Sequence, residues 1–360
     1  MTTKRILILA GGTGGHIFPA LAVADCLRAQ QVTPFWLGSA HGMEGTIVPR
    51  HQIELFKIRM VGLRGKGLWR WLLAPLVILR GTWEAARVIL RIKPGVVLGM
   101  GGFVSGPGGL AAILCRRPLV IHEQNSIPGL TNRLLRYFAT RVLAAYPGAF
   151  PVDAKAIITG NPVRAEISGV ASSHQRACDP ATLRILVLGG SLGARSLNRM
   201  VPVALGAFQT ATRLEIRHQT GAQELEVTQA AYGNCPHAVT TQAFIADMAA
   251  AYAWTDLIIC RAGALTIAEI SMVGIPAILV PFPFAVDDHQ TVNAAYLCDR
   301  GAAILIPDAA LSVDTLCAAL HAISDDRVTM AAMAARARAA AYPIATAEVA
   351  RHCLELIHET

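Results

Sequence analysis

One strand-and-turn signal occurs twice in this chain, about half its length apart. Arg5-Ile-Leu-Ile-Leu-Ala-Gly-Gly-Thr-Gly-Gly-His16 and Arg184-Ile-Leu-Val-Leu-Gly-Gly-Ser-Leu-Gly-Ala-Arg195 each pass from a cation through four branched apolar residues into a glycine-rich turn that carries a hydroxyl. An uninterrupted apolar strand belongs in a parallel sheet covered on both faces, not in a half-solvated antiparallel one. The glycines let a ligand approach the backbone, and helix-like sequence follows, so that its first amides face a phosphate or a sugar. Two copies predict an α/β protein of two Rossmann-like parallel-sheet domains that face each other across a cleft.

The bulk properties agree with two domains. At 360 residues the chain exceeds one comfortable core. Hydrophobic residues make up 53% and charged residues 16%, which excludes a disordered chain. A formal charge of +8 calls for an anionic partner: nucleotide phosphates, acidic lipid or nucleic acid. Cys26, Cys115, Cys260 and Cys298 lie inside apolar or helical patterns, and no pair is spaced Cys-x-x-Cys. Free thiols in a reducing cytosol are therefore expected, rather than bridges or zinc. Lys4-Arg5 leads straight into a strand with no cleavable signal, so a cytoplasmic protein is expected. The best apolar run, Leu68 to Leu79, holds Arg70 and Pro75 and falls short of the ~20 residues of a membrane span.

Along the chain, short apolar runs alternate with longer helical patterns. Strands are expected at Arg5–Ala10, Pro34–Gly38, Val96–Met100, Pro118–His122 and Arg141–Ala145, then at Arg184–Leu188, Glu215–Gln219, Ala238–Thr241, Leu257–Cys260, Ala277–Val280 and Ala303–Ile306. The polar, aperiodic stretch from Gly169 to Pro180 reads as a linker. We expect an N-terminal domain over 1–163 and a C-terminal domain over 164–343. A last helix over 344–360 is expected to pack back on the first domain.

Several motifs carry chemistry. A dinucleotide site wants an acid at the end of the second strand, yet that strand ends Trp36-Leu-Gly-Ser-Ala40 with no carboxylate before Glu44. Nicotinamide and flavin lose support. His16, at the mouth of the first turn, suits either a general base near neutrality or a helix-capping or sugar-binding role. The loop Gly99-Met-Gly-Gly-Phe-Val-Ser105 places a hydroxyl and a run of amides at a strand's carboxyl end. His122-Glu-Gln-Asn125 follows another strand, where four polar side chains are costly unless solvated or engaged by a polar ligand. In the second half, Gly263 opens a turn and the amides from Ala264 begin a helix able to hold a pyrophosphate, with Arg164 or Arg261 as added positive potential. Glu269, a turn further on, reads either as a ribose ligand or as one side of a surface ion pair. The loop Pro281–Asn293 ends in amides and acids suited to sugar hydroxyls. No Asp-x-Asp occurs, so no metal and no cofactor are expected.

Lys57 to Lys93 holds nine basic residues and one acid, Glu84. Leu72, Leu76, Leu79, Trp83 and Leu90 fall on one stripe at helical spacing, flanked by Arg80, Arg87 and Arg91. Such a ridge serves either a core or a monotopic contact with anionic lipid, and the charge excess favours lipid.

Together Gly11–His16, Gly101–Gly109, His122–Asn125, Asn161-Pro-Val-Arg164, Gly189–Arg195, Arg261–Glu269 and Asp288-His-Gln-Thr-Val-Asn293 resemble glycosyltransferase family 28, across essentially the whole chain. The resemblance implies the GT-B type of fold and the N-acetylglucosaminyltransferases that complete lipid II for peptidoglycan. It implies an inverting transfer from UDP-GlcNAc to the 4-hydroxyl of the MurNAc unit of lipid I, at the cytoplasmic face of the bacterial plasma membrane. The enzyme would be peripheral there, reaching anionic lipid through Lys57–Lys93, with no nucleic-acid partner. Residue by residue, it implies donor contacts at Thr13, Gly14, Gly15, Asn125, Arg164, Ser191 and Ile245, through Ala264, Leu265, Thr266, Ile267, Ala268 and Glu269, and at Gln290. Leu192 stands where the family usually has glutamine. His16 is the first candidate for the base and Glu123 the second. Two alternatives share these features: a UDP-GlcNAc 2-epimerase, and a non-catalytic membrane-associated nucleotide-sugar binding protein.

Overall fold

The computed structural model describes residues 4–39, 42–60, 67–171, 181–189 and 194–359. The second glycine turn, with Ser191 and Leu192, and most of the expected linker lie outside these residues. The chain divides into two compact units: residues 1–164 with 342–360, and residues 165–341.

Unit 1 holds β1 Arg5–Leu9, β2 Thr33–Ser39, β3 Glu54–Ile58, β4 Val96–Gly99, β5 Leu119–Glu123, β6 Arg141–Ala144 and β7 Ile157–Ile158. They form one sheet in the order β3-β2-β1-β4-β5-β6-β7, with every pair parallel. Alternation along β1 sends Ile6 and Ile8 to one face and Leu7 and Leu9 to the other. The first pair packs in a core with Val23 and Leu27 of the helix Gly14–Ala29 and with Val349 and Leu356 of the last helix, Ala345–Glu359. The second pair packs with Ala85, Ile89 and Ile92 of the helix Gly67–Ile92. The last helix is tied down further where Arg141 bonds His352 and Glu355, and where Thr346 Oγ1 donates to the Val163 carbonyl at 3.0 Å.

Unit 2 holds β8 Thr182–Leu188, β9 Arg213–Gln219, β10 Ala238–Gln242, β11 Leu257–Cys260, β12 Ala277–Leu279 and β13 Ala303–Leu305. Their order is β10-β9-β8-β11-β12-β13, again all parallel. In both sheets the order reverses beside the strand that leads into the glycine turn, between β1 and β4 and between β8 and β11. Ligands of open α/β sheets bind at the carboxyl ends of the strands at such a point.

The expected strands all form, within a residue or two at their ends. The sequence reading missed β3 and β7. β3 reads Glu-Leu-Phe-Lys-Ile with only Ile58 buried, and β7 is two exposed residues. Edge strands are specified by the neighbour they pair with, so their own sequence announces them weakly. The cysteines among the described residues are free thiols, and no helix there is long and apolar enough to cross a membrane.

Candidate active site

In unit 1 three loops meet at the sheet's switch point: 11–15 after β1, 100–105 after β4 and 124–129 after β5. The first two interlock. Gly102 has φ +80°, and a Cβ there would run into the Gly11 carbonyl, so only glycine allows the approach. Ser105, the hydroxyl expected at the carboxyl end of β4, is fully buried. Its Oγ donates to the Leu9 carbonyl at 3.1 Å and the Gly101 carbonyl at 2.8 Å, stitching the two strand ends together.

The carboxylate missing from the end of β2 reappears inside the turn. Glu44 is fully buried; its Oε1 accepts from Ser39 N at 2.8 Å and Ser39 Oγ at 2.7 Å, and its Oε2 accepts from Gly12 N at 3.1 Å. A protein anion therefore occupies a backbone donor that a ligand phosphate would otherwise meet. Thr13 is exposed and caps the helix Gly14–Ala29 without a side-chain bond to its amides, while Gly14 and Gly15 form its half-buried first turn.

The His122–Asn125 segment departs from expectation, because the protein itself engages all four of its side chains. His122 is buried, with Nε2 3.0 Å from the Gly160 carbonyl and Nδ1 without a partner; burial lowers its pKa to about 4. Glu123 is buried too. Its Oε1 accepts from Asn125 N (3.0 Å) and Asn125 Nδ2 (3.2 Å), and its Oε2 from Gly129 N (3.1 Å) and Asn132 Nδ2 (2.9 Å). Both oxygens are committed to folding their own loop, which argues against Glu123 as the base. Gln124 lies between His16 and the backbone: its Oε1 is 3.2 Å from His16 Nδ1, and its Nε2 donates to the Met100 carbonyl at 2.7 Å. Arg164 stacks on Phe18, 4.6 Å from the ring centre.

In unit 2, Gly263 caps the helix Ala264–Val273 in extended conformation, and as a glycine it has no side chain to bond the first amides itself. The helix's positive end thus opens at the sheet's switch point. Leu265, Thr266 and Ala268 are half-buried, whereas the Ile267 side chain is fully buried in the core. Glu269 is only 4% exposed and accepts from Tyr252 Oη at 2.9 Å. The Ile245 amide donates to Gln219 Oε1 at 2.9 Å, and Gln290 Oε1 accepts from Phe282 N at 2.9 Å. Arg261 differs from its expected role. Its guanidinium bonds Asp308 (2.6 Å), Ser196 Oγ (2.8 Å) and the Val280 and Pro281 carbonyls, so its charge is neutralised beneath the loop rather than offered to a pyrophosphate. Among the described residues no group of three His, Cys, Asp or Glu is placed to hold a metal.

The stripe on the helix Gly67–Ile92 faces solvent. Leu76, Leu79, Trp83 and Leu90 are each about 60% exposed, while Ala85, Ile89 and Ile92 make the core contact; Leu72 lies where only the backbone is described. Arg87 stacks on Trp83 at 4.8 Å. No local pattern signals the roles of Glu44, Gln219 and Tyr252, whose bonds to Gly12, Ile245 and Glu269 span 17 to 32 positions.

Residues 6–144 match the glycosyltransferase family 28 N-terminal domain, and residues 184–348 match the glycosyltransferase family 28 C-terminal domain. A protein of Alkalilimnicola ehrlichii is 51% identical over 98% of this chain and 99% of its own length, and one of Nitrosococcus oceani is 50% identical over 98% of each. Both are named UDP-N-acetylglucosamine--N-acetylmuramyl-(pentapeptide) pyrophosphoryl-undecaprenol N-acetylglucosamine transferase. The crystal structure of Acinetobacter baumannii MurG superposes with a TM-score of 0.82 at 41% identity, covering 98% of this chain and 99% of that one. A Listeria monocytogenes structure described as a UDP-N-acetylglucosamine 2-epimerase shares the fold alone, at 15% identity and a TM-score of 0.70. With both of its domains matched and half its residues identical to such relatives, this chain belongs to glycosyltransferase family 28.

Proposed function

We infer that this chain transfers N-acetylglucosamine from UDP-GlcNAc to lipid I, the N-acetylmuramyl-(pentapeptide) pyrophosphoryl-undecaprenol acceptor in its relatives' names, and so makes lipid II. The observation that carries this reading is the cradle in unit 2: a helix start without a side-chain cap at Gly263, followed by the buried carboxylate of Glu269 held by Tyr252. In the proposed donor complex the amides from Ala264 meet the pyrophosphate, Glu269 accepts the ribose hydroxyls, Ile245 serves the uracil and Gln290 the sugar. Arg164 and Ser191 complete the nucleotide contacts, and Thr13, Gly14, Gly15 and Asn125 supply contacts from unit 1.

The reaction is a single inverting displacement. The muramyl 4-hydroxyl oxygen bonds to the anomeric carbon, the bond from that carbon to the β-phosphate oxygen breaks, and UDP departs with the electron pair. The hydroxyl proton passes to a base, for which His16 is our assignment. The helix dipole and the aligned amides stabilise the leaving pyrophosphate at ~1–3 kcal/mol per interaction, so several must act together. The exposed ridge Leu76–Leu90, bordered by Arg80, Arg87 and Arg91, supports a peripheral seat on anionic lipid, where the acceptor resides.

The test is transfer of labelled sugar from UDP-GlcNAc to a lipid I analogue. His16→Ala should lower kcat by roughly 10²–10⁴-fold, the usual contribution of a general base. Glu269→Ala should chiefly raise the KM for UDP-GlcNAc. A His16→Ala enzyme within a few-fold of wild type at saturation removes the base assignment. UDP-N-acetylmannosamine formed without acceptor would make the protein an epimerase.

A further inference from the structure

We propose that Gln124 is a positioning residue that decides which nitrogen of His16 acts as the base. The proposal rests on the reading of His16 as the base.

A neutral imidazole has one N–H and one basic lone pair, and the partner of one nitrogen sets the role of the other. Gln124 is 1% exposed, so its amide has no water to reorient towards. One end of that amide lies 2.7 Å from the Met100 carbonyl. A carbonyl only accepts, so the NH2 group must face Met100 and Oε1 must face the other way. Oε1 is then the atom 3.2 Å from His16 Nδ1. An amide oxygen also only accepts, so Nδ1 carries the hydrogen and Nε2 carries the lone pair. The relay runs from the backbone carbonyl after β4, through a side chain after β5, to the histidine in the first turn after β1.

The surrounding backbone holds the ring in this place. Gly101 has φ +94°, and a Cβ on it would lie 2.6 Å from His16 Nδ1, so the ring seats directly against a residue that has to be glycine. Ser105 Oγ holds the Gly101 carbonyl at 2.8 Å and so fixes that backbone. The ring is thus in contact on one side with a pinned glycine and on another with a pinned amide. Without an acceptor at Nδ1, an imidazole favours its proton on Nε2, which would present the wrong nitrogen. Gln124 therefore does for His16 what a buried carboxylate does for the histidine of a hydrolytic triad, but without adding a charge next to the donor's phosphates.

The experiment combines nitrogen-15 NMR of the His16 ring with the transfer assay. Wild type should show Nδ1 as the protonated nitrogen of the neutral ring. Gln124→Leu removes the acceptor and should lower kcat on the order of 10–100-fold, with the KM for UDP-GlcNAc within about twofold, and should move the ring towards the Nε2–H form. Gln124→Glu, with its carboxyl protonated on the oxygen that faces the Met100 carbonyl, keeps both the donor to Met100 and the acceptor to Nδ1 and should return the Nδ1–H signature and most of kcat; it also covers the case in which the leucine variant fails to fold. A wild-type ring protonated on Nε2, or a folded Gln124→Leu enzyme with unchanged kcat and tautomer, overturns the proposal. An active His16→Ala enzyme alongside an intact Nδ1–H spectrum overturns the base reading alone. An inactive His16→Ala enzyme alongside an Nε2–H wild-type spectrum overturns the role of Gln124 alone.

Discussion

At the scale of single residues, the first glycine turn owes its character to Glu44. A glycine turn after a first strand is an anion site by default, and in this chain the anion is already built in. One carboxylate accepts from Gly12, from the Ser39 amide and from the Ser39 hydroxyl, with no access to water. The turn is thereby stiffened from within. Glu44→Gln replaces an acceptor by a donor that faces N–H or O–H groups, leaving at least one buried polar group unpaired. It should lower the unfolding free energy of unit 1 by about 1–3 kcal/mol, measured by urea denaturation. Loss of stability below about 0.5 kcal/mol would mean that the turn holds its shape without this carboxylate. In the sequence Glu44 is simply the first carboxylate after the second strand, and nothing in its neighbours announces that it turns inwards.

At the scale of elements, two strands carry buried histidines that set an acid limit. His122 on β5 is lowered to about 4 and His218 on β9 to about 3, both because burial penalises the charged ring. His218 is closed in between Tyr232 Oη at 2.9 Å and Asn198 Oδ1 at 3.1 Å. The native pKa values lie below the unfolded value near 6.5, so as the pH falls the unfolded chain takes up the proton first. Stability is therefore full above about pH 6.5 and declines as the pH falls towards the native values. Each histidine should remove about 2 kcal/mol between pH 6.5 and pH 5, following the slope of one proton per residue. Denaturation at the two pH values should show this loss, and His218→Gln should reduce it in unit 2 only. The helix Gly67–Ile92 makes a different kind of prediction. Leu79→Ser combined with Trp83→Ala removes apolar surface already in solvent, so the fold should be unaffected. Cosedimentation with phosphatidylglycerol vesicles should fall on the order of tenfold or more, while transfer to a water-soluble acceptor analogue is retained. Unchanged sedimentation would assign the ridge to another partner.

At the scale of the whole molecule, the chain's end belongs with its beginning. The last helix contributes Val349, Ala350, Cys353, Leu356 and Ile357 to the core on the face of β1, and Arg141 and Val163 anchor its sides. Deleting residues 345–360 should weaken unit 1 by roughly 1.5–3 kcal/mol for each buried aliphatic side chain removed. Hydrogen exchange should then speed up in β1 and the helix Gly14–Ala29, with β8 to β13 unchanged. Equal acceleration in both units would mean that the helix stabilises the chain as a whole rather than one sheet.

Periodicity alone determined a good deal. Unbroken apolar runs are obliged to become buried parallel strands, and glycines at their ends are obliged to become turns, so the two sheets were legible from the chain, whereas their switch points came only with the observed strand order. The two edge strands were not, because pairing with a neighbour rather than their own pattern makes them strands. At the site the legible part was position along the chain: which residues follow which strand. What only the tertiary structure decided was partnership. Ser105, Glu123 and Arg261 have the chemistry of ligand-binding groups, yet each is bonded by protein atoms. The stripe from Leu76 to Leu90 has the spacing of a core face, yet it lies in solvent because Ala85, Ile89 and Ile92 took the core side. A hydrogen bond or a buried contact depends on which distant residue arrives within about 3 Å, and the order of residues along a chain specifies that only once the chain has folded.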